Sequence, residues 1–431
     1  MRLRSLCFAF LTLLGCSQWL SADELVRASA DRMQSRIDAL GTFGTNPEGG
    51  VSRVAFSDAD LAGRAWLKEQ MSELGLEVRT DTAGNIIGRR AGTDNALPVI
   101  LFGSHIDSVP GGGNYDGQVG VAAALEVIEL LNEQGVTTLH PLEIVSFTDE
   151  EGGLTGSRAA IGKLTEAAMD VVSNSGYTIR EGIARVGGDP ARISEAAMDP
   201  ENLKVFLELH IEQGAFLHED GIEIGVVEGI VGIRWWDVTI TGVANHGGTT
   251  PMDKRFDAMV GAADLTLAVN KIASELEGRQ VATVGRIQAF PGAPNVVPGK
   301  VVMSLEIRDL DADKMQLVFD EIEMAAAEIA EARSLTVDFT ELDVASPPAP
   351  TDETIRDLIA GEAERLGYSY QRMPSGAGHD AQDLARITPT GMIFVPSVGG
   401  ISHSPKEFTS ATDMANGATV LYHSVLAVDQ Q

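Results

Sequence analysis

Cysteine is nearly absent. The 431 residues hold two, Cys7 and Cys16, both close to the N-terminus. A chain processed beyond that point has no disulfide, no cysteine nucleophile and no thiolate to offer a metal. Any metal site must then be built from His, Asp and Glu. Basic charge is scarce too: 32 Lys and Arg stand against 62 Asp and Glu, for a net charge of −30. Phosphate is repelled by such a surface, which argues against a nucleic-acid partner. Long apolar runs are also missing. The run Leu6–Leu14 is too short for a transmembrane helix. What is present suffices for ordinary buried cores, with 44% hydrophobic and 22% charged residues, and the length allows two domains.

Arg2 and Arg4 precede Leu6–Leu14, so residues 1–22 read as a signal peptide. Leu13-Leu14-Gly15-Cys16 has the form of a lipobox, which would put a lipid anchor on Cys16. Cleavage after Leu20-Ser21-Ala22 is the alternative. Either route exports the protein, to the periplasm or to a lipid-anchored place in the cell envelope. Contact with a membrane is expected only through that anchor.

Apolar periodicity divides the mature chain. A helix is expected over 24–40, and a second starts at the cap Ser57-Asp58-Ala59-Asp60. Buried strands are expected over 98–102, 142–147 and 203–209. An apolar helix covers 120–133, and residues 160–200 show no dominant period. From about Glu228 the character changes. Residues 233–241, 281–290, 300–308 and 335–342 read as strands, and 254–276 and 311–332 as helices. That order, β-α-β-β-α-β, is ferredoxin-like. It implies an inserted domain over 228–343 between two parts of an α/β domain, 23–227 and 344–431. In the last part a helix is expected over 352–366, strands over 368–372 and 391–395, and a helix over 412–427.

The chemistry gathers where strands end. His105, Asp107 and Asp116 lie on a glycine-rich loop after the strand at 98–102, Glu150-Glu151 follows the strand at 142–147, and His210 follows that at 203–209. His403 sits on a late glycine-rich loop. Open α/β sheets place their sites at the carboxyl ends of strands. Imidazole and carboxylate without thiolate suit zinc, manganese or cobalt. A carboxylate shared between two ions is the usual device of two-metal hydrolases. The glycines at 111–113 would let the first loop fold back on itself.

The stretches GSHIDSVPGGGNYDGQVGV, FTDEEG, GSR at 156–158, ELHIEQG, ANHGGTTPM, PGAPNVVPG, SLEIRD, SGAGHDA and GGISHSPKE span the mature chain. Together they resemble the co-catalytic zinc hydrolases of the M20 superfamily. The likeness is to its hydantoinase/carbamoylase-type amidases, the group of N-carbamoyl-L-amino-acid hydrolases, β-ureidopropionases and allantoate amidohydrolases. The resemblance implies an α/β, zinc-exopeptidase-like catalytic domain, a mixed sheet flanked by helices, with the inserted ferredoxin-like α+β domain serving dimerisation and as a lid. It implies two divalent metal ions per subunit, zinc above all, with manganese or cobalt as alternatives. His105, Asp116 and His210 match metal ligands, with Asp116 bridging, and Glu151 and His403 match ligands of the second ion. Glu150 matches the general base, and Asp107 would orient His105. His246 matches a residue that reaches the active site of the partner in a homodimer and stabilises the oxyanion. Arg308 matches the Arg that grips the carboxylate of a small-molecule substrate, and Gln213, Asn295 and the Gly378 backbone match further substrate contacts. The segment from Glu151 to Ser157 is shorter than such proteins often have. The implied reaction is hydrolysis of a linear C–N amide or ureido bond. The alternatives are a peptidase or aminoacylase of the same superfamily and, more remotely, a non-catalytic exported binding protein.

Overall fold

The computed structural model describes residues 25–342 and 346–431. The expected signal peptide, with Cys16, and the expected boundary at 343/344 lie outside the described residues. No helix among the described residues is long and apolar enough to cross a membrane.

The first strands in the chain are β1 (Glu77–Thr80), β2 (Ile86–Arg90), β3 (Val99–His105), β4 (Leu142–Phe147), β5 (Leu203–Ile211) and β6 (Ile224–Ile230). There follow β7 (Gly232–Thr241), β8 (Asn245–His246), β9 (Val281–Thr283), β10 (Ile287–Phe290), β11 (Val296–Val297), β12 (Lys300–Asp309) and β13 (Thr336–Glu341). The chain ends with β14 (Ala349–Pro350), β15 (Tyr370–Ser375) and β16 (Thr390–Val395).

Nine strands form a mixed sheet in the order β1-β2-β4-β3-β5-β16-β6-β14, with β15 also paired to β6. Its centre is parallel: β4 with β3, β3 with β5, and β5 with β16. Every residue of β3, β4 and β16 is buried, as expected of parallel strands covered on both faces. One face packs on helices Ala30–Gly41, Gln118–Glu133, Glu353–Leu366 and Ala411–Asp429 through residues such as Phe102, Leu125, Leu207 and Leu421. The other buries Leu101, Phe147, Phe206 and Phe394 with Ala381 and Leu384. Each such side chain contributes about 1.5–3 kcal/mol by leaving water.

Strands β7, β9, β10, β12 and β13 build a second, five-stranded sheet, ordered β10-β12-β7-β13 with β9 beside β12, all antiparallel, while β8 and β11 pair as a separate two-stranded ribbon. Helices Ala258–Glu275 and Ala312–Arg333 share its core with Trp236, Val238, Ile240, Met303 and Leu305. The alternate residues Trp235, Asp237, Ser304, Glu306 and Arg308 lie on its uncovered face.

Several element limits differ from the sequence reading, each for a local reason. The first helix starts at Ala30, not 24, because Ser29 caps it. The Ser29 N–H also donates to Glu126 (2.8 Å), a fully buried carboxylate that Arg32 and Arg36 neutralise. The helix expected from 254 starts at Ala258, where Asp257 accepts from the first-turn amides. The strand expected over 281–290 is split into β9 and β10, since Ser304 Oγ takes the Arg286 N–H at the break (3.0 Å). The strand expected at 368–372 runs instead as Tyr370–Ser375 along β6. Residues 160–200 are short helices and 3-10 turns, too brief to show a period.

Candidate metal centre

Strand order brings the polar strand ends together. β4, β3, β5 and β16 are parallel neighbours, so their C-termini open on one edge of the sheet. His105 is the last residue of β3, His210 the penultimate residue of β5, and Glu150 and Glu151 start a one-turn helix just after β4. The loop after β16 carries His403. Asp116 comes from the loop after β3, and the turn into the next helix passes close to the His105 ring. A Cβ on Gly117 would sit 2.3 Å from that imidazole, and the φ of Gly117 is +75°. Only glycine fits there.

Two ligand sets share Asp116. His105, Asp116 and His210 present ligand atoms within 4.8 Å of one another, and so do Asp116, Glu151 and His403. Asp116 Oδ1 lies 3.1 Å from His210 Nε2 and 3.8 Å from His105 Nε2. Asp116 Oδ2 lies 3.2 Å from His403 Nε2, which is 3.3 Å from Glu151 Oε2. The opposite ring nitrogens are fixed by the protein: His210 Nδ1 meets the Ile211 carbonyl (2.9 Å) and His105 Nδ1 the Asp107 carbonyl (3.2 Å). Each ring is thereby held as the tautomer whose Nε2 lone pair faces inward.

Nitrogen and oxygen donors without sulfur suit a hard or borderline divalent cation. The unpaired atoms fit one as well. His105 Nε2 and Glu151 Oε1 are buried with no hydrogen-bond partner among the described residues. Asp107, Asp116, Glu150, Glu151 and Glu208 are each 10% exposed or less at the side chain or residue level. Among the described residues none of these five pairs with Lys or Arg. Burial drives Glu150 well above the usual carboxylate range against the opposing pull of His105, and lifts Glu151 to about 7. Burial also works against ionised Asp116, but the surrounding His210, His403 and His105 imidazoles outweigh it and hold Asp116 well below that range.

The other expected site residues fall into two groups. Asp107 lies within the centre, with Oδ1 3.6 Å from His105 Nδ1. Its carboxylate also accepts the backbone N–H groups of Glu150 (3.3 Å) and Glu151 (3.2 Å), so it orients the acidic turn as well as the imidazole. The short segment beyond is a turn of helix to Gly153, then Leu154 at φ +58°, then helix Thr155–Ala160. Gln213, also left-handed at φ +59°, donates to Asp116 Oδ2 (2.6 Å). Glu150 Oε2 stands 3.7 Å from His105 Nε2 and is no member of either ligand set.

His246, Asn295 and Arg308 sit on the second sheet and its ribbon, outside both ligand sets. His246 and Asn295 are exposed; β8 pairs with β11, and the Gly247 N–H bonds the Asn295 carbonyl (2.7 Å). His246 Nδ1 accepts from the N–H groups of Gly248 (3.0 Å) and Thr249 (3.2 Å), so the ring carries its proton on Nε2, facing outward. Arg308 is held side-on by Glu306, through Nε (2.9 Å) and Nη2 (3.2 Å), and its Nη1 reaches the Gly376 carbonyl (2.8 Å), two residues from the exposed Gly378. The Arg308 side chain is 27% exposed. The Trp235 indole N–H donates to Glu306.

Three residues of the centre were not singled out by sequence reasoning. Glu208 accepts from Ser104 Oγ (2.7 Å) and the Ala381 N–H (2.9 Å). Its signal was available, since it shares a strand face with His210 two residues on. Ser402 and Glu407 flank His403, and no local pattern marks them.

Comparison with known proteins shows what the chain is similar to. The model of Peptidase family M20/M25/M40 matches residues 101–427. An N-carbamoyl-L-amino acid amidohydrolase of Geobacillus stearothermophilus is 41% identical, over 93% of this chain and 98% of the relative. An allantoate amidohydrolase of Escherichia coli (strain K12) is 36% identical, over 90% and 95%. Among solved structures, a hydantoinase/carbamoylase-family amidase from Burkholderia multivorans superposes with a TM-score of 0.87 at 35% identity, covering 94% of this chain and 99% of that one. With three quarters of its length matched by the family model and a relative 41% identical over nearly the whole chain, this chain belongs to the M20/M25/M40 peptidase family.

Proposed function

We propose that the protein is a metal-dependent amidohydrolase that opens a linear ureido or amide C–N bond in a small carboxylate-bearing substrate, most simply an N-carbamoyl-L-amino acid. The observation that carries this reading is the shared Asp116 between two ligand sets, with Glu150 beside them but in neither. Two divalent ions, zinc first, would be held by His105, Asp116 and His210 and by Asp116, Glu151 and His403. Such ions polarise a carbonyl and bring the pKa of water toward neutrality.

The chain's own residues then divide the work. Glu150 takes a proton from the attacking water and delivers it to the leaving nitrogen. Asp107 keeps the Glu150–Glu151 turn and the His105 ring in register. Arg308 receives the substrate carboxylate in exchange for its present partners, with Asn295 and the exposed Gly378 backbone as further contacts. His246 offers its outward Nε2–H to the developing oxyanion. Its exposure, and its place outside both ligand sets, support a role across the subunit boundary of a homodimer whose lid is the second sheet. An N-carbamoyl amino acid and water would yield the amino acid, carbon dioxide and ammonia. The basic and apolar pattern of residues 1–22 supports export to the periplasm or cell envelope.

The test is a substrate panel on metal-reconstituted protein, scored for ammonia. Release from N-carbamoyl-L-amino acids or allantoate is expected. Turnover confined to N-acetyl amino acids or dipeptides would move the protein to the peptidase side of the family, and ligand capture without turnover would end the enzymatic reading.

A further inference from the structure

Glu407 has no part in the reaction outlined above, yet it holds the centre together. It is 5% exposed, and no Lys or Arg among the described residues pairs with it. Four donors converge on it. Oε1 accepts the backbone N–H groups of Tyr115 (2.9 Å) and Asp116 (3.0 Å). Oε2 accepts the Ser402 hydroxyl (2.9 Å) and the His403 N–H (3.2 Å). Two of these residues are candidate ligands and the other two are their immediate neighbours. One side chain thus ties the loop bearing the shared carboxylate to the loop bearing His403, across most of the length of the chain.

Two further features show that the fit is specific. A Cβ on Gly113 would lie 2.1 Å from Glu407 Oε1, so any side chain there would displace the carboxylate. The glycine run therefore does more than bend the loop: it leaves room for Glu407. His403 adopts φ +54°, a left-handed conformation that a non-glycine residue holds only when its surroundings enforce it. The bond from its N–H to Glu407 is one such restraint. Ser402 adds a cross-link, since its hydroxyl also lies 3.0 Å from Asp116 Oδ2. A carboxylate is the group these four donors require. An amide in its place would turn an N–H₂ toward two of them.

We propose that Glu407 is a positioning residue that sets the geometry of the Asp116/Glu151/His403 half of the metal centre, while the His105/His210 half is set by its own strands. This rests on the two-ion reading given above. The prediction is asymmetric. Both ions share Asp116, but only one uses His403, so losing the clamp weakens the ion held by His403 more than the ion held by His105 and His210, whose rings are anchored by Asp107 and Ile211.

The experiment is a stepwise titration of chelator-treated protein with Co²⁺, followed by its visible absorption and by elemental counting. Wild-type protein should take up two ions per chain in resolved steps. In Glu407→Gln the first step should shift little, through the shared Asp116 alone. The second should weaken by about 10- to 100-fold, the usual cost of losing an outer partner of a ligand, with an altered absorption band. Ser402→Ala, which removes one of the four donors, should shift the second step in the same direction by less. Melting curves of the ion-free proteins serve as the control for folding. If Glu407→Gln does not fold, Glu407→Asp keeps the charge and shortens the reach, and should show the same selective loss. Two unchanged steps in a folded variant overturn the proposal, as does equal weakening of both. A wild-type chain that binds a single ion overturns the two-ion reading itself, which separates that failure from a failure of the clamp.

Discussion

The carboxyl edge of the nine-stranded sheet and the uncovered face of the five-stranded sheet both carry charge, but they settle it differently. At the edge, the carboxylates and the His105 and His210 rings are buried, Lys and Arg partners are missing among the described residues, and His105 Nε2 and Glu151 Oε1 are left unpaired. On the open face, Arg308 pairs with Glu306 and Arg286 with Asp237, in partial contact with water. Uncompensated buried charge is costly. It persists where a cation completes it. Paired, half-exposed charge costs little to keep and can exchange one carboxylate partner for another. The first region is built to hold an ion, and the second to meet a ligand.

The comparison breaks most easily at Glu150. Glu150→Gln keeps the shape of the edge and removes the base, so kcat should fall by about 10²- to 10⁴-fold with metal content unchanged. Turnover within tenfold of wild type would reduce Glu150 to one more buried acid. Removal of the ions should then separate the two regions by stability. An ion present at a thousandfold over its Kd adds about 4 kcal/mol to the folded state. A chelator should therefore lower the melting temperature and raise amide exchange at the ends of β3 and β5 and in the 403 loop, leaving β7 and β12 as they were. Uniform change across both sheets would erase the distinction.

The open face is tested by smaller effects. Arg308→Ala should raise KM for carboxylate substrates by about 10- to 100-fold, in keeping with about 1.5–3 kcal/mol for a charged hydrogen bond, and change kcat little. A loss confined to kcat would place Arg308 in the chemistry instead. Glu306→Gln removes the competing charge beside the fork. As a partly exposed pair it is worth about 0.2–1 kcal/mol, so KM should fall, by no more than about fivefold. A raised KM would mean that Glu306 serves mainly to aim the guanidinium.

Much of this was legible in the order of residues. The run 142–147 matched β4 because a strand buried on both faces is a continuous apolar run. The residue types for a thiolate-free metal centre were visible because His, Asp and Glu stood where such runs stopped. Less was legible where side chains overrule the local pattern. The apolar pattern runs through Arg286 as one long strand although Ser304 occupies its amide, and it carries the first helix six residues too early because the Ser29–Glu126 contact is tertiary.

By itself, the sequence determined the chemical kind of the site and the strands that present it, because ligand type and apolar period are local properties. Only the tertiary structure decided which residues share it. The order β4-β3-β5-β16 sets His105, Glu151, His210 and His403 on one edge, and Glu407 locks two of the loops across that edge. Such contacts join positions hundreds of residues apart, and no period along the chain reports a distance across the sheet.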